Sequence, residues 1–244
     1  TNTINNLAVD LLSSIDSVVL GCGAVLNKDE SETNQIITVK TSNIEVGRTV
    51  NVNIYNSTYN KNYTGALIAD AGVSTVACKV DVSIDWGTDL SKRIATDGTY
   101  NVKTTVSDNA GNNAENITTF TVDRTATISD IILGWENNTN DPNTVMNANT
   151  WNNSNTITVK TNDITNSDNL QLEIYKNTDS NNTLITKNKN VTNNETDFSF
   201  NNFNELLTDG QYIVKVSSTD INGNSASLTE EFKLLKTLPT ITTP

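Results

Sequence analysis

The sequence contains no histidine, and its 244 residues include only two cysteines, three prolines and one methionine. The absence of histidine excludes a Ser-His-Asp triad and the commonest general base. Carboxylates are present, but they fall in turns and at the edges of repeats, whereas a glycosidase needs two that face each other across a cleft. The sequence therefore predicts a protein that is not an enzyme.

Positive charge and long apolar runs are also scarce. Lysine and arginine number 16 against 28 acidic residues, which gives a net charge of −12. Because phosphate binding needs a basic surface, we expect no nucleic-acid partner. The most apolar stretch, residues 7–26, is interrupted by Asp10, Asp16 and several serines. It is too polar to span a bilayer, so we expect no direct membrane insertion.

The feature that the sequence does have is an internal repeat with a period of about 113 residues. Residues 37–41 (ITVKT) return unchanged as residues 157–161, and the Asp-Gly-x-Tyr segment at 97–100 returns at 209–212. The first pair is offset by 120 residues and the second by 112, so the second copy lacks eight residues between Tyr175 and Asp209. This period fits a whole small domain.

The repeat also divides the chain. Residues 1–10 resemble 116–123, the close of the first copy, and residues 236–244 resemble the start of another copy. We therefore predict two domains, 11–124 and 125–244, cut from a longer protein, with 1–10 as the last strand of a preceding repeat. Alternatively, residues 1–10 are a donor strand that pairs in a neighbouring subunit.

Alternation of apolar and polar residues with period two dominates each copy and predicts strands. The clearest strands are 35–41, 49–55, 100–106, 114–122, 212–216 and 227–235. Segments rich in Asn and Gly at 107–113 and 219–224 predict hairpin turns. We expect no amphipathic helix, and only single turns near 88–90 and 203–207. About seven short strands per repeat indicate an all-β chain of two Greek-key sandwiches.

The order of motifs in each copy resembles a known family. Asp-Gly-Thr-Tyr-x-Val, then Asp-x-x-Gly-Asn, then Phe-Thr-Val-Asp is similar to the bacterial Ig-like repeats of large surface adhesins and prokaryotic surface-layer proteins, over residues 11–240. The resemblance implies two tandem Ig-like Greek-key β-sandwich domains on the cell surface of a prokaryote. It places Tyr100 and Tyr212 at the tyrosine corner, and Val102 and Val214 where antibody domains carry a cysteine.

Cys22 and Cys78, both in the first copy, are the only cysteines. An even count in a chain of extracellular character predicts a disulfide between them. The alternative is that both are small buried apolar residues.

Aspartates recur where the copies begin and end. Carboxylates at a domain junction could bind Ca²⁺, which takes six to eight oxygen ligands, and could stiffen the linker. In the similar adhesin repeats, junction calcium does this. The alternative is that these residues cap the backbone of their own turns. The candidate calcium ligands are Asp10, Asp16, Asp108, Asp123 and Asp130.

Aromatic side chains offer one further candidate site, because aromatic faces can stack on sugar rings. Packing in the core is the stronger interpretation, above all for Trp135 at the end of a first strand. The residues concerned are Trp86, Trp135, Trp151, Tyr55, Tyr59 and Tyr63.

We therefore expect an extracellular spacer of an adhesin-like repeat protein, which projects a distal binding region and contacts neighbouring repeats. A rival hypothesis is a self-assembling surface-layer or filament subunit that uses strand addition to contact other subunits. A third is a carbohydrate-binding module.

Overall fold

The computed structural model describes residues 12–70, 77–135, 145–147, 155–164, 168–200 and 208–236. The chain forms two compact units, Thr1–Arg124 and Thr125–Pro244. The predicted strand at 1–10, the turn at 203–207, Trp151 and the segment 237–244 lie outside the described residues.

The described part of unit 1 contains nine strands in two sheets. The strands are β1 (Ser14–Leu20), β2 (Val25–Leu26), β3 (Gln35–Ser42), β4 (Thr49–Tyr55), β5 (Asn60–Ala66), β6 (Ile68–Ala69), β7 (Ala77–Ile84), β8 (Gly98–Ser107) and β9 (Asn113–Val122). One sheet has the order β1-β3-β7-β6 and the other β2-β9-β8-β4-β5. A one-turn helix, α1 (Lys28–Ser31), and a 3-10 turn, Leu90–Lys92, lie in the connections.

Unit 2 repeats this topology. Its described strands are β10 (Thr127–Leu133), β11 (Val145–Asn147), β12 (Asn155–Asn162), β13 (Asn169–Lys176), β14 (Asp179–Asn190), β15 (Glu195–Phe200), β16 (Gly210–Thr219) and β17 (Ser225–Leu235). They form the sheets β10-β12-β15 and β11-β17-β16-β13-β14. Among described residues, unit 2 has no counterpart of β6.

Local alternation explains why these segments are strands, because side chains along a strand point alternately to its two faces. In β4, Val50, Val52 and Ile54 are buried while the residues between them are more exposed. β12 buries Ile157 and Val159 in the same way. The inward faces of the two sheets form one apolar core in each unit. The prediction of two all-β Ig-like sandwiches is confirmed.

The eight residues missing from the second copy are the net result of one gain and two losses. The residue opposite Ile54 is Lys61, and the residue opposite Ile174 is Ile185, 124 positions after Lys61, so the second copy has gained four residues between β13 and β14. Ile84 at the end of β7 and Phe200 at the end of β15 are 116 positions apart, so eight residues are lost between β14 and β15. The offset of 112 at Asp209 shows a further loss of four after β15.

No helix within the described ranges is long and apolar enough to cross a membrane.

Candidate functional site

In each sandwich the last strand forms a parallel pair with the short second strand. In unit 1, β2 pairs with β9 through Val25 opposite Thr121 and Leu26 opposite Val122. The Thr121 amide donates to the Ala24 carbonyl at 2.9 Å, and the Asp123 amide donates to the Leu26 carbonyl at 2.8 Å. These bonds join the incoming segment of unit 1 directly to its outgoing strand.

Unit 2 has the same pairing. β11 runs parallel to β17, with Val145 opposite Lys233 and Met146 opposite Leu234. Met146 and Leu234 are fully buried, so this pair is part of the core. The pairing therefore occurs in both repeats.

An aspartate holds the chain where it leaves each unit. The Arg124 backbone amide donates to the Asp97 carboxylate at 2.9 Å, and the Lys236 amide donates to Asp209 at 2.6 Å. We call these two contacts the exit clamps. In unit 1 the Arg124 side chain adds a hydrogen bond to the Ile94 carbonyl at 2.7 Å and an ion pair with Glu32 at 2.9 Å. The chain is thereby fixed to its unit at the last residue.

The predicted tyrosine corners are present in both units. The Tyr100 hydroxyl donates to the Thr96 carbonyl at 2.9 Å, and the Tyr212 hydroxyl donates to the Thr208 carbonyl at 2.7 Å. Both tyrosines are fully buried. Each corner ties the start of the strand to the loop four residues upstream, which also carries the aspartate of the exit clamp.

In both cores a tryptophan packs on an equivalent phenylalanine, but the tryptophan follows a different strand in each unit. In unit 1, Trp86, which follows β7, lies 6.3 Å from Phe120 between ring centroids. In unit 2, Trp135, which follows β10, lies 5.3 Å from Phe232. Phe120 and Phe232 are equivalent, since each stacks on its corner tyrosine. Trp135 is therefore a core residue, as expected.

Among the described residues, the aromatic side chains proposed as a sugar platform do not form one. Trp86 and Tyr63 are buried, at 1% and 5% exposure, so their faces are not available to a sugar ring. The Trp86 indole N–H lies 3.2 Å from the hydroxyls of both Tyr59 and Tyr63. Burial raises the pKa of both tyrosines. Tyr55, in β4, is half-buried. This cluster closes the end of the unit 1 core.

Asp108, a predicted calcium ligand, instead caps its own turn. It is buried, and its carboxylate accepts the Asn112 backbone amide at 2.8 Å and the Asn112 side-chain amide at 2.9 Å. Burial acts to raise the pKa of Asp108, but the hydrogen bonds from Asn112 and from the Gly111 and Ala110 amides outweigh it and lower the pKa. Asp220 makes the same bonds to Asn224 in unit 2. The Asp108 oxygens are therefore already occupied.

The other predicted ligands are not brought together either. Asp16 accepts hydrogen bonds from Ser14 and from Ser42. It is the bulged residue between Ile15 and Ser17 on β1, whereas the matching bulge on β10 falls at Ser129. Asp16 and Asp130 are therefore not equivalent positions.

Within the described residues, no three acidic or cysteine side chains form a group that could hold a metal ion. Asp123 is half-buried, Asp130 is exposed, and Asp10 lies outside the described residues. The described carboxylates thus do not fit a calcium site. Calcium at a junction involving Asp10 stays a prediction.

The predicted disulfide is wrong, because both cysteines are free thiols. Cys78 lies opposite Thr41, whereas Cys22 follows Gly21, whose amide bonds to Ile36. Five residues of β3 separate those positions, which at roughly 3.3 Å per residue is about 17 Å. A disulfide needs Cα atoms within about 7 Å. Cys78 donates to the Ile44 carbonyl in the core, and partial burial raises the pKa of Cys22 to about 11.

The exit clamps and the parallel strand pairs were not found from the sequence. The acceptor in each clamp is an aspartate of the recurring Asp-Gly-x-Tyr motif, so a signal was present, but its donor is a backbone amide. The strands β2 and β11 have two and three residues, too few for a periodic pattern.

No family model matches the sequence, and no curated protein matches it. Solved structures do match. One is from a study of host cell surface retention of a 1.5-MDa bacterial ice-binding adhesin, at 22% identity and a TM-score of 0.52, covering 93% of this chain and 65% of that chain. Another is a Ca²⁺-stabilised adhesin with which an Antarctic bacterium reaches out and binds ice, at 20% identity and a TM-score of 0.50, covering 94% of this chain and 50% of that chain.

Both similarities extend over nearly the whole of this chain and concern its fold. The two packed sheets of each unit and the tyrosine corners are those of immunoglobulin-like sandwiches. This chain therefore has the fold of two tandem Ig-like domains, a fold shared by parts of large bacterial adhesins.

Proposed function

We propose that this chain is a spacer module of an extracellular, cell-surface, adhesin-like repeat protein. In this proposal it has no catalytic activity, contacts neighbouring repeats of the same protein, and transmits load to a distal binding region. The observation that carries the proposal is the parallel pairing of the second strand with the last strand in both units, β2 with β9 and β11 with β17.

Parallel pairing matters because of the direction in which a spacer is loaded. In unit 1 the chain reaches the amino end of β2 directly after β1, and it leaves the unit at the carboxyl end of β9. Because the two strands run the same way, tension on the chain pulls them past each other along their length. The hydrogen bonds of β2 to β9 then share the load. An antiparallel hairpin pulled at its two free ends would lose its bonds one at a time.

The exit clamps support the same role. Asp97 and Asp209 hold a residue one or two positions after each last strand, so tension reaches β9 and β17 at fixed points. In unit 1, Arg124 extends that anchorage to Ile94 and Glu32. Such duplicated anchorage suits a unit used repeatedly in one chain, because every copy is loaded in the same way.

The similar structures agree with this proposal. The first comes from work on retention at a host cell surface, and the second is described as helping a bacterium reach out. Both descriptions belong to those proteins. The location and role of the present chain follow from them only as part of our proposal.

The test is to stretch the full chain by its two ends in a single-molecule force experiment. Thr121→Pro removes the amide that bonds to the Ala24 carbonyl. Thr121 is exposed, and because its amide faces β2, a proline there leaves the amides that β9 uses to pair with β8 in place. We expect one of two unfolding events to move to lower force while the other is unchanged.

Thr119→Pro is the matched control, because Thr119 lies on the same strand and side but beyond the register of β2. It should lower the force much less. Equal effects of the two prolines, or no effect of Thr121→Pro, would refute the load-bearing role of β2 and β9.

A further inference from the structure

β15 lies at the edge of its sheet. The sheet order is β10-β12-β15, and no described strand pairs with the other side of β15. The equivalent strand in unit 1, β7, is paired at its start by β6, with Ile68 opposite Lys79 and Ala69 opposite Cys78. An open edge exposes backbone donors and acceptors that another strand can pair with.

Two lysines from the other sheet cover this edge. The Lys187 ammonium donates to the Ser199 carbonyl at 2.5 Å, and the Lys189 ammonium donates to the Asp197 carbonyl at 2.6 Å. Both lysines belong to β14 and, two residues apart, they lie on the same face of it. The Lys187 ammonium also lies 4.2 Å from the ring centroid of Phe200.

The carbonyls of Asp197 and Ser199 point to the side of β15 that no described strand pairs with. In β15, Thr196, Phe198 and Phe200 are buried and alternate with exposed Asp197 and Ser199. In an antiparallel pair, the amide and carbonyl of one residue point to the same side, and the side alternates along the strand. Since the carbonyls of Asp197 and Ser199 receive lysines of β14, their backbone groups face away from β12. The lysines therefore occupy acceptors that an added strand would use.

We propose that Lys187 and Lys189 close the edge of β15 against a second copy of this chain. The edge is self-complementary. In an antiparallel β15–β15 pair, Asp197 of each copy can lie opposite Ser199 of the other, so that no like charges face each other. Such a contact is isologous and yields a closed dimer. The lysines hinder it by occupying the acceptors and by placing two positive charges on each edge.

The experiment measures the mass of the full chain by sedimentation velocity over a range of concentrations. Lys187→Met with Lys189→Met removes both donors and keeps the side-chain length. We expect its self-association constant to exceed that of the parent by about tenfold or more. Lys61→Met with Lys233→Met is the control for charge, since it changes net charge equally on β5 and β17, which do not adjoin β15. Lys187→Arg with Lys189→Arg keeps the donors and should match the parent.

A third substitution locates the contact. Ser199→Pro removes the amide on the free edge and leaves the β12 pairing intact, because prolines are tolerated on that side of an edge strand. Added to the double methionine variant, it should restore the mass of the parent, with the circular dichroism spectrum showing that the fold is retained. The proposal is overturned if the methionine variant associates no more than the parent. It is also overturned if the charge control associates equally, or if Ser199→Pro leaves the association in place.

Discussion

Replacing a corner tyrosine with phenylalanine removes one buried hydroxyl and leaves the aromatic stack in place. In unit 1, the Tyr100 hydroxyl contacts the Thr96 carbonyl at 2.9 Å and the Thr96 hydroxyl at 2.8 Å. In unit 2, the Tyr212 hydroxyl donates to the Thr208 carbonyl at 2.7 Å and accepts the Thr208 amide at 3.0 Å. The substitution therefore removes contacts to a carbonyl and a side-chain hydroxyl in unit 1, and to a carbonyl and a backbone amide in unit 2.

The size of the effect follows from the partners left behind. A hydrogen bond contributes about 0.5–1.5 kcal/mol net, and a partner left buried and unsatisfied costs about 1–3 kcal/mol. In Tyr100→Phe, the Thr96 hydroxyl can rotate to another acceptor, so we expect a loss of about 1–2 kcal/mol. In Tyr212→Phe, two hydrogen bonds to the backbone of the exposed residue Thr208 are lost, and at about 0.5–1.5 kcal/mol each we expect about 1–3 kcal/mol.

The assay is differential scanning calorimetry of the full chain. For a unit of this size, each kcal/mol lowers Tm by about 3–6 °C. Tyr175→Phe, at a half-exposed position on β13, is the control and should change stability by less than about 0.5 kcal/mol. If Tyr212→Phe is no more destabilising than this control, the corner does not stabilise the unit and the reasoning is wrong.

Three other predictions follow from single sites. In a urea titration, Gly134→Ala should destabilise the chain by about 1–3 kcal/mol, because a Cβ there would lie 2.5 Å from the Thr156 carbonyl oxygen. Gly21→Ala should lower stability less in the same titration, because its Cβ would lie 3.1 Å from the Ile36 carbonyl oxygen. Because the pKa of Asp108 is lowered in the folded state, its contribution to stability is present above the unfolded pKa of about 3.9 and is lost as pH falls below it. The stability gap between Asp108→Asn and the parent should therefore narrow from pH 5.5 to pH 3, and an unchanged gap would contradict this. If calcium binds at the junction that involves Asp10, a calcium chelator should lower Tm, and an unchanged Tm would contradict that prediction.

Strands with strong alternation could be predicted from the sequence because their pattern is local. The bounds of β4 match the prediction at both ends, and β8 and β9 exceed theirs by one or two residues. The tyrosine corners were predictable for the same reason, since their partner lies four residues away. Helix α1 was missed, although Asn27 and Glu30 form a capping box that the sequence displays.

Features that depend on distant partners could not be predicted. Strand β2 exists because Val25 meets Thr121, almost a hundred residues later. The disulfide between Cys22 and Cys78 failed because the count of cysteines carries no information about register. The equivalence of Asp16 and Asp130 could not be judged from the sequence, because Asp16 occupies a bulge where the other copy has Ser129, and a bulge shifts the register by one residue.

The position of tryptophan shows why a repeat in sequence does not fix equivalent contacts. Trp86 and Trp135 follow different strands but pack on the equivalent phenylalanines. Each core needs a large side chain to pack on the phenylalanine that stacks on the corner tyrosine. A tryptophan can reach that place from the segment after β7 or from the segment after β10. Alignment of the two copies matches Trp135 with Cys22, so the alignment does not reveal that Trp86 and Trp135 have the same role in the two cores.

The central claim is that both units resist extension along the chain through their parallel strand pairs, β2 with β9 and β11 with β17. The most direct measurement is single-molecule stretching of the full parent chain by its two ends. The account predicts two abrupt unfolding events, each releasing roughly 40 nm of chain, from about 120 residues at about 3.3–3.6 Å per residue. The force of one event should fall with Thr121→Pro, and neither should fall appreciably with Thr119→Pro. Gradual extension at low force, without two separate events, would contradict the account.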